Sequence, residues 1–199
     1  MRADKHMDNH DHRSQKNYRS LLQAMSRPGR VVRLEALDVV SPFAAAMAVA
    51  ECLLDSEVSL CVSGNGGAQA LQMSIVGATG ARLESQQAAD FVFFSGVSSR
   101  GGACLAKRGC SEFPEEGATL VYCMDSLLAG VSERFRVRLI GPGIPGSSGI
   151  VPEMRGVPVE EFQELMEVNA DYPLGVDAIF IRPNGELMAL PRSTRIHVR

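Results

Sequence analysis

Phe91-Val92-Phe93-Phe94 and Thr119-Leu120-Val121-Tyr122-Cys123 are the two runs on which the fold turns. Both are continuous in apolar and β-favouring residues, and both are too short for an ordinary helix. Runs with no polar position to face water are expected of strands covered on both sides, as in an α/β sandwich. The flanking segments supply the covers. Residues 103–108, between the two runs, read as a short helix. Upstream, residues 58–62 read as a strand, Gly64-Asn65-Gly66-Gly67 as a turn, and residues 68–76 as a helix ended by Gly77 and Gly80. Ser41-Pro42 has the form of an N-cap with proline at the first helical position, opening an apolar helix that runs to Leu54 and should be buried between layers. Earlier still, Tyr18, Leu21, Leu22 and Met25 recur at helical spacing before Pro28-Gly29 ends the helix, and residues 31–36 form a strand.

Downstream of the two runs, Phe135, Val137 and Leu139 alternate with Arg134, Arg136 and Arg138, which predicts a strand with one apolar and one cationic face. Val159, Phe162 and Met166 mark a helix whose other side carries Glu160, Glu161, Glu164 and Glu167. Residues 176–181 and 187–190 flank Pro183-Asn184-Gly185 and predict a hairpin, with Asn-Gly as a type I′ pair. Strands alternating with helices and closing on a hairpin give a three-layer α/β/α sandwich with a mixed sheet. Residues 17–199 form its single domain, preceded by a disordered polar tail at 1–16.

The chain's 199 residues suit one domain, and a fold of this size buries about 70% of its unfolded surface without disulfide or metal staples. Lys plus Arg number 20 and Asp plus Glu 23, a net charge of −3 that argues against nucleic acid as a partner. The apolar stretch 43–54 is interrupted by Glu51 and falls short of the ~20 residues of a membrane span. The N-terminal residues contain no apolar leader, so a cytoplasmic location is expected. Five cysteines without C-x-x-C spacing read as reduced thiols packed as small hydrophobes. His6, His10 and His12 sit in the polar tail; with no rigid frame around them they read as solvated, and no metal is expected in the folded domain.

Three motifs carry anion-binding chemistry. Gly141-Pro142-Gly143-Ile144-Pro145-Gly146 is a literal G-x-G-x-x-G after a strand, but Pro145 and Ser147-Ser148-Gly149 stand where a dinucleotide fingerprint needs a helix. A loop leaving a strand is the plainer account, with an anion nest at Gly141 and Gly143 as the alternative. Arg134, Arg136 and Arg138 form a ladder of guanidinium forks suited to phosphate or to an acidic partner; a solvated strand near a sheet edge is the competing account. Pro191-Arg192-Ser193-Thr194-Arg195 places two cations and two hydroxyls directly after a strand, fit either for phosphate or for closing a turn. Outside the tail, His197 is the only histidine and Lys107 the only lysine, and no nucleophile elbow, Walker A loop or H-E-x-x-H motif occurs. A pyridoxal phosphate enzyme needs a Schiff-base lysine; Lys107 reads instead as the solvated charge ending a helix, so no cofactor is expected.

The strings Tyr18-Arg-Ser-Leu-Leu-Gln-Ala-Met-Ser-Arg-Pro-Gly29, Glu116-Gly-Ala-Thr-Leu120, Leu139-Ile-Gly-Pro-Gly-Ile144, Tyr172-Pro-Leu-Gly-Val-Asp177 and Leu187-Met-Ala-Leu-Pro-Arg-Ser-Thr194 closely resemble the PhnH family, in order and spacing, from Tyr18 to Val198. Two departures stand at Tyr18, where phenylalanine is expected, and Ser193, where threonine is expected. The resemblance implies a subunit of the bacterial carbon-phosphorus lyase complex. With sibling subunits, that complex transfers the ribose triphosphate of ATP to an alkylphosphonate and releases adenine. It also implies a fold like the large domain of pyridoxal-phosphate-dependent transferases without the cofactor site. No catalytic residue is carried over. Sibling subunits are the implied partners, and a surface shaped for such contacts should form a homodimer in isolation. The rival from the residues alone is a stand-alone phosphate-ester or nucleotide-binding transferase using the arginines and the glycine loop.

Overall fold

A computed structural model describes residues 3–35, 41–64, 66–124 and 136–199. Its elements are α1 (Ala3–Ser26), β1 (Val31–Arg33), α2 (Ala44–Leu53), β2 (Ser59–Gly64), α3 (Ala68–Thr79), β3 (Arg82–Leu83), β4 (Phe91–Ser95), β5 (Thr119–Cys123), β6 (Val137–Ile140), α4 (Val159–Val168), β7 (Asp177–Ile181), β8 (Glu186–Leu190) and β9 (Arg195–Val198). Seven strands form a mixed sheet in the order β1-β8-β7-β5-β4-β2-β3. The strands β3, β2, β4, β5 and β7 run parallel, while β8 pairs antiparallel with both β7 and β1. A separate antiparallel pair joins β6 to β9.

The two continuous runs are β4 and β5, adjacent and interior, as their lack of a polar face required. Alternation within them sorts side chains between two cores. Val92, Phe94, Leu120, Tyr122, Ala178 and Phe180 pack toward α4 and the β6–β9 pair, whereas Phe93, Val121, Ile179 and Ile181 pack toward the α1–α3 layer. The second layer includes α2, whose alanine-rich surface is largely buried.

Several expectations shift in detail. The helix α1 extends from Ala3 to Ser26, because nothing between them breaks a helix and the packed C-terminal half propagates backward. Its buried stripe is Asn17, Leu21 and Ala24, leaving Tyr18 and Leu22 about half exposed. Asn17 tolerates the interior because its amide exchanges two hydrogen bonds with the Glu35 backbone. In α2, Ser41 opens a turn rather than the helix; its Oγ accepts the Phe43 N–H, and the helix starts at Ala44. Residues 103–105 form one 3₁₀ turn. In α4, the buried stripe is Glu161, Phe162, Leu165 and Val168, and Met166 faces solvent. The hairpin turn also differs from type I′. Pro183 has no N–H to close a two-residue loop, so the closing pair moves out to Arg182 and Glu186. Gly185, at φ +84°, donates to the Arg182 carbonyl in a type I turn with a bulge.

Asp90 joins the N-terminal ends of three strands. Its carboxylate accepts the N–H and Oγ–H of Ser59 at 2.8 and 2.6 Å, and its backbone carbonyl accepts the Thr119 N–H. Lys107 completes the cluster as an ion-pair partner; it is half-buried against Asp90 rather than the solvated end of a helix. Burial opposes ionisation of Asp90, but hydrogen bonds from Lys107 and Ser59 outweigh it and hold the carboxyl below its usual value. A depressed carboxyl stabilises the fold above its unfolded pKa, and that stabilisation disappears as pH falls through the folded value. Asp90→Asn should therefore cost about 1 kcal/mol at pH 7 by urea denaturation. The gap from wild type should close as pH drops below about 4. A gap unchanged from pH 7 to pH 3 would assign the acid sensitivity elsewhere.

Candidate functional site

A groove of about 650 Å³ opens between the C-terminal turn of α1, the edge strand β1 and the loop leaving β6. Its walls are Gln23 from the helix, Arg27 just beyond it, Val31 and Val32 from the strand, and Gly143, Ile144 and Pro145 from the loop, with Ile150 and Glu153 closing one side. Pro28-Gly29 produces this arrangement by ending α1 and turning the chain into β1. Gly29 donates to the Ala189 carbonyl of β8, and its own carbonyl accepts the Glu153 N–H. Gly143 stands at φ +78°, and a Cβ there would press into the Ser26 carbonyl oxygen, so only glycine lets the loop approach the helix end this closely. The strings 18–29 and 139–144, distant in sequence, thus meet at one groove, and 187–194 touches both through Ala189 against Gly29 and Ser193 against Gly141.

The rim carries charge. Glu153 accepts the Val31 N–H at 2.9 Å and pairs with the Arg30 guanidinium; the backbone bond first, and Arg30 with it, hold the carboxyl below its usual value. Glu153 is the only carboxylate of the lining, and it is engaged. No described carboxylate pairs with Arg27. The groove therefore offers an apolar wall of Val31, Val32, Ile144 and Ile150, one uncommitted guanidinium and an amide, but no base poised beside a nucleophile. That inventory suits holding an anionic group better than transforming it.

The residues singled out from sequence separate into three places. Gly143 lines the groove, while Gly141 lies behind it against the Ser193–Thr194 backbone. Thr194 is buried, its N–H closing a turn on the Pro191 carbonyl and its Oγ1 without a hydrogen-bond partner. Arg192 turns away and is consumed structurally. Its backbone N–H and its guanidinium bind Asp177 at the start of β7, and the same guanidinium donates to the Pro114 and Gly117 carbonyls. A phosphate contact by Arg192 would require breaking this tether. Arg136, Arg138 and Arg195 are exposed together on the β6–β9 pair. Arg134 lies outside the described residues.

Glu161, placed by the sequence on the charged side of its helix with Glu160, Glu164 and Glu167, lies instead in the interior. It is fully buried in the first turn of α4, where Oε1 accepts the Ser99 N–H at 2.9 Å, and neither its Oε2 nor the Tyr122 hydroxyl has a hydrogen-bond partner. Glu164, one turn on, accepts Ser99 Oγ and the Gly101 N–H. Together they clasp the loop after β4, in which Arg100 takes φ +54°. Burial, and next the Glu161 carboxylate, push the Tyr122 phenol well above its usual value. The available signal was spacing: Glu161 precedes Leu165 by four residues and so shares its stripe. Among the described residues, no group of three or more His, Cys, Asp or Glu is placed to hold a metal ion.

Residues 5–197 fit the family model of the bacterial phosphonate metabolism protein PhnH. Over 187 residues, covering 94% of this chain and 87% of the relative, the sequence is 33% identical to the putative C-P lyase subunit protein HtxG of Stutzerimonas stutzeri.

Proposed function

The chain belongs to the PhnH family of bacterial phosphonate metabolism proteins, and from that membership we propose that it is a subunit of a carbon-phosphorus lyase complex. In this reading it acts with sibling subunits in the transfer of the ribose triphosphate of ATP to an alkylphosphonate, with release of adenine. The observation that carries the reading is the composition of the groove: cationic and apolar binding groups gathered around Gly143, with their one carboxylate already occupied. Phosphoryl and glycosyl transfer need positioned charge together with a group that activates the nucleophile, and a subunit supplying only the first depends on a sibling for the second. Gly141, Gly143, Ser193 and Thr194 support the groove from behind and beside it, and Arg27 joins them as a phosphate contact. A cytoplasmic location and a homodimer in isolation belong to the same reading.

The test is genetic and biochemical. Deleting the gene in a host starved of phosphate should abolish growth on methylphosphonate as sole phosphorus source, with recovery on the plasmid-borne chain. The purified chain alone should leave ATP and methylphosphonate unconverted. Unimpaired growth of the deletion strain would overturn the proposal, and turnover by the isolated chain would point to a stand-alone transferase.

A further inference from the structure

The antiparallel pairing of β6 with β9 sets two alternating sequences face to face. Arg136 lies opposite Arg199, bonded through both backbone amides at 2.8 and 3.0 Å, and Arg138 lies opposite His197. Arg195 stands opposite Ile140 on the same side, because successive residues of one face recur every second position. The opposite face, Val137, Leu139, Ile196 and Val198, packs into the core. All five basic residues are exposed, and among the described residues no side-chain carboxylate pairs with any of them. Arg138 alone is anchored, donating to the Ser148 carbonyl at 2.9 Å.

We propose that this face docks an acidic surface of a partner protein within the complex. The proposal rests on the subunit reading above and names the surface that reading leaves open. Like charges directly opposite each other on a sheet destabilise it, so an Arg136–Arg199 pair repels in the isolated chain and is relieved by carboxylates from outside. The basic face also runs against the chain's net charge of −3, which gives the molecule a polarity that orients an acidic partner. Four of the five residues are arginines, whose planar forks bind carboxylates bidentately. The shape selects a protein over a small polyphosphate. None of the five basic residues lines the groove, and Arg136 and Arg138 stand about 7 Å apart along the strand, a spread that suits several carboxylates of a protein surface better than one small anion. Adding a strand at the edge of β6 is blocked, since Leu139 exchanges hydrogen bonds with Ile150 there, so contact falls to the side chains.

The experiment is co-purification of the full complex from phosphate-starved cells, with this chain tagged and expressed as wild type, as R136E/R138E/R195E, or as the acidic-loop control E115K/E116K. The triple variant should retain the wild-type circular dichroism spectrum and melting profile while recovering at least tenfold less of the sibling subunits. The control should recover them normally, and wild-type recovery should fall as salt rises from 0.1 to 0.5 M, as screened charge requires. A folded triple variant that recovers siblings like wild type overturns the proposal, as does one that keeps its siblings but loses binding of tripolyphosphate. Should the triple variant unfold, R136Q/R138Q/R195Q serves in its place under the same criteria. Failure of the subunit reading shows separately, as normal growth of the deletion strain on methylphosphonate.

Discussion

Replacing Phe180 by alanine should lower the unfolding free energy by about 4 kcal/mol. Its ring stacks on Tyr122 with centroids 4.6 Å apart and meets Phe162 at 6.3 Å, while Tyr122 in turn meets Phe94 at 5.0 Å. Phe94, Tyr122 and Phe180 come from the adjacent strands β4, β5 and β7, and Phe162 from α4. Removing Phe180 opens a cavity at the centre of a four-ring ladder that joins sheet to helix. Neighbours held by β-strand backbone cannot collapse into it, so both the transfer and the cavity contributions should appear. Phe180→Leu should cost far less, about 1 kcal/mol, because it keeps most of the volume. Urea denaturation reads both; a loss below about 1 kcal/mol for Phe180→Ala would mean the ladder does not organise the core.

Arg192→Ala should cost about 3 kcal/mol, close to the core truncation although Arg192 is a charged residue in a loop. The Arg192 and Asp177 side chains are 14% and 20% exposed, and truncation strands a carboxylate together with two carbonyl oxygens that the guanidinium had satisfied. A lysine offers one point charge where the site uses a planar fork, so Arg192→Lys should recover less than half of the loss. The Asp177→Asn/Arg192→Ala double variant should be less destabilised than the two single losses added together, since the stranded charge is then gone. Additive losses would show that the two side chains do not act as a pair. A cost under about 0.5 kcal/mol for Arg192→Ala would place Arg192 among ordinary surface residues and return it to the pool of phosphate contacts.

The interior strands, the alternation of strands with helices and the closing hairpin were determined by the sequence itself. Each is a local matter: an apolar run of four or five residues has no polar face to expose, and Pro183-Asn184-Gly185 can only turn. The cationic face of β6 was equally visible in the alternation of Arg136 and Arg138 with Val137 and Leu139. Its other half, Arg195-Ile196-His197-Val198-Arg199, alternates in the same way but does not read as a strand from sequence, since Arg195 stands in the motif that follows the hairpin. That the two halves lie side by side depends on a pairing across more than fifty residues, which no local pattern encodes. The same reason governs Arg192 and Glu161. Both have the composition of surface residues, and only the approach of distant partners, Asp177 and the Pro114 and Gly117 carbonyls for one, the Ser99 N–H for the other, brings them into the interior. Residue type and spacing fixed the elements, because chain sterics and apolar burial act over a few residues. Tertiary structure decided which charges are spent inside the fold and which remain on its surface, because a charge is satisfied by whatever lies nearest in space.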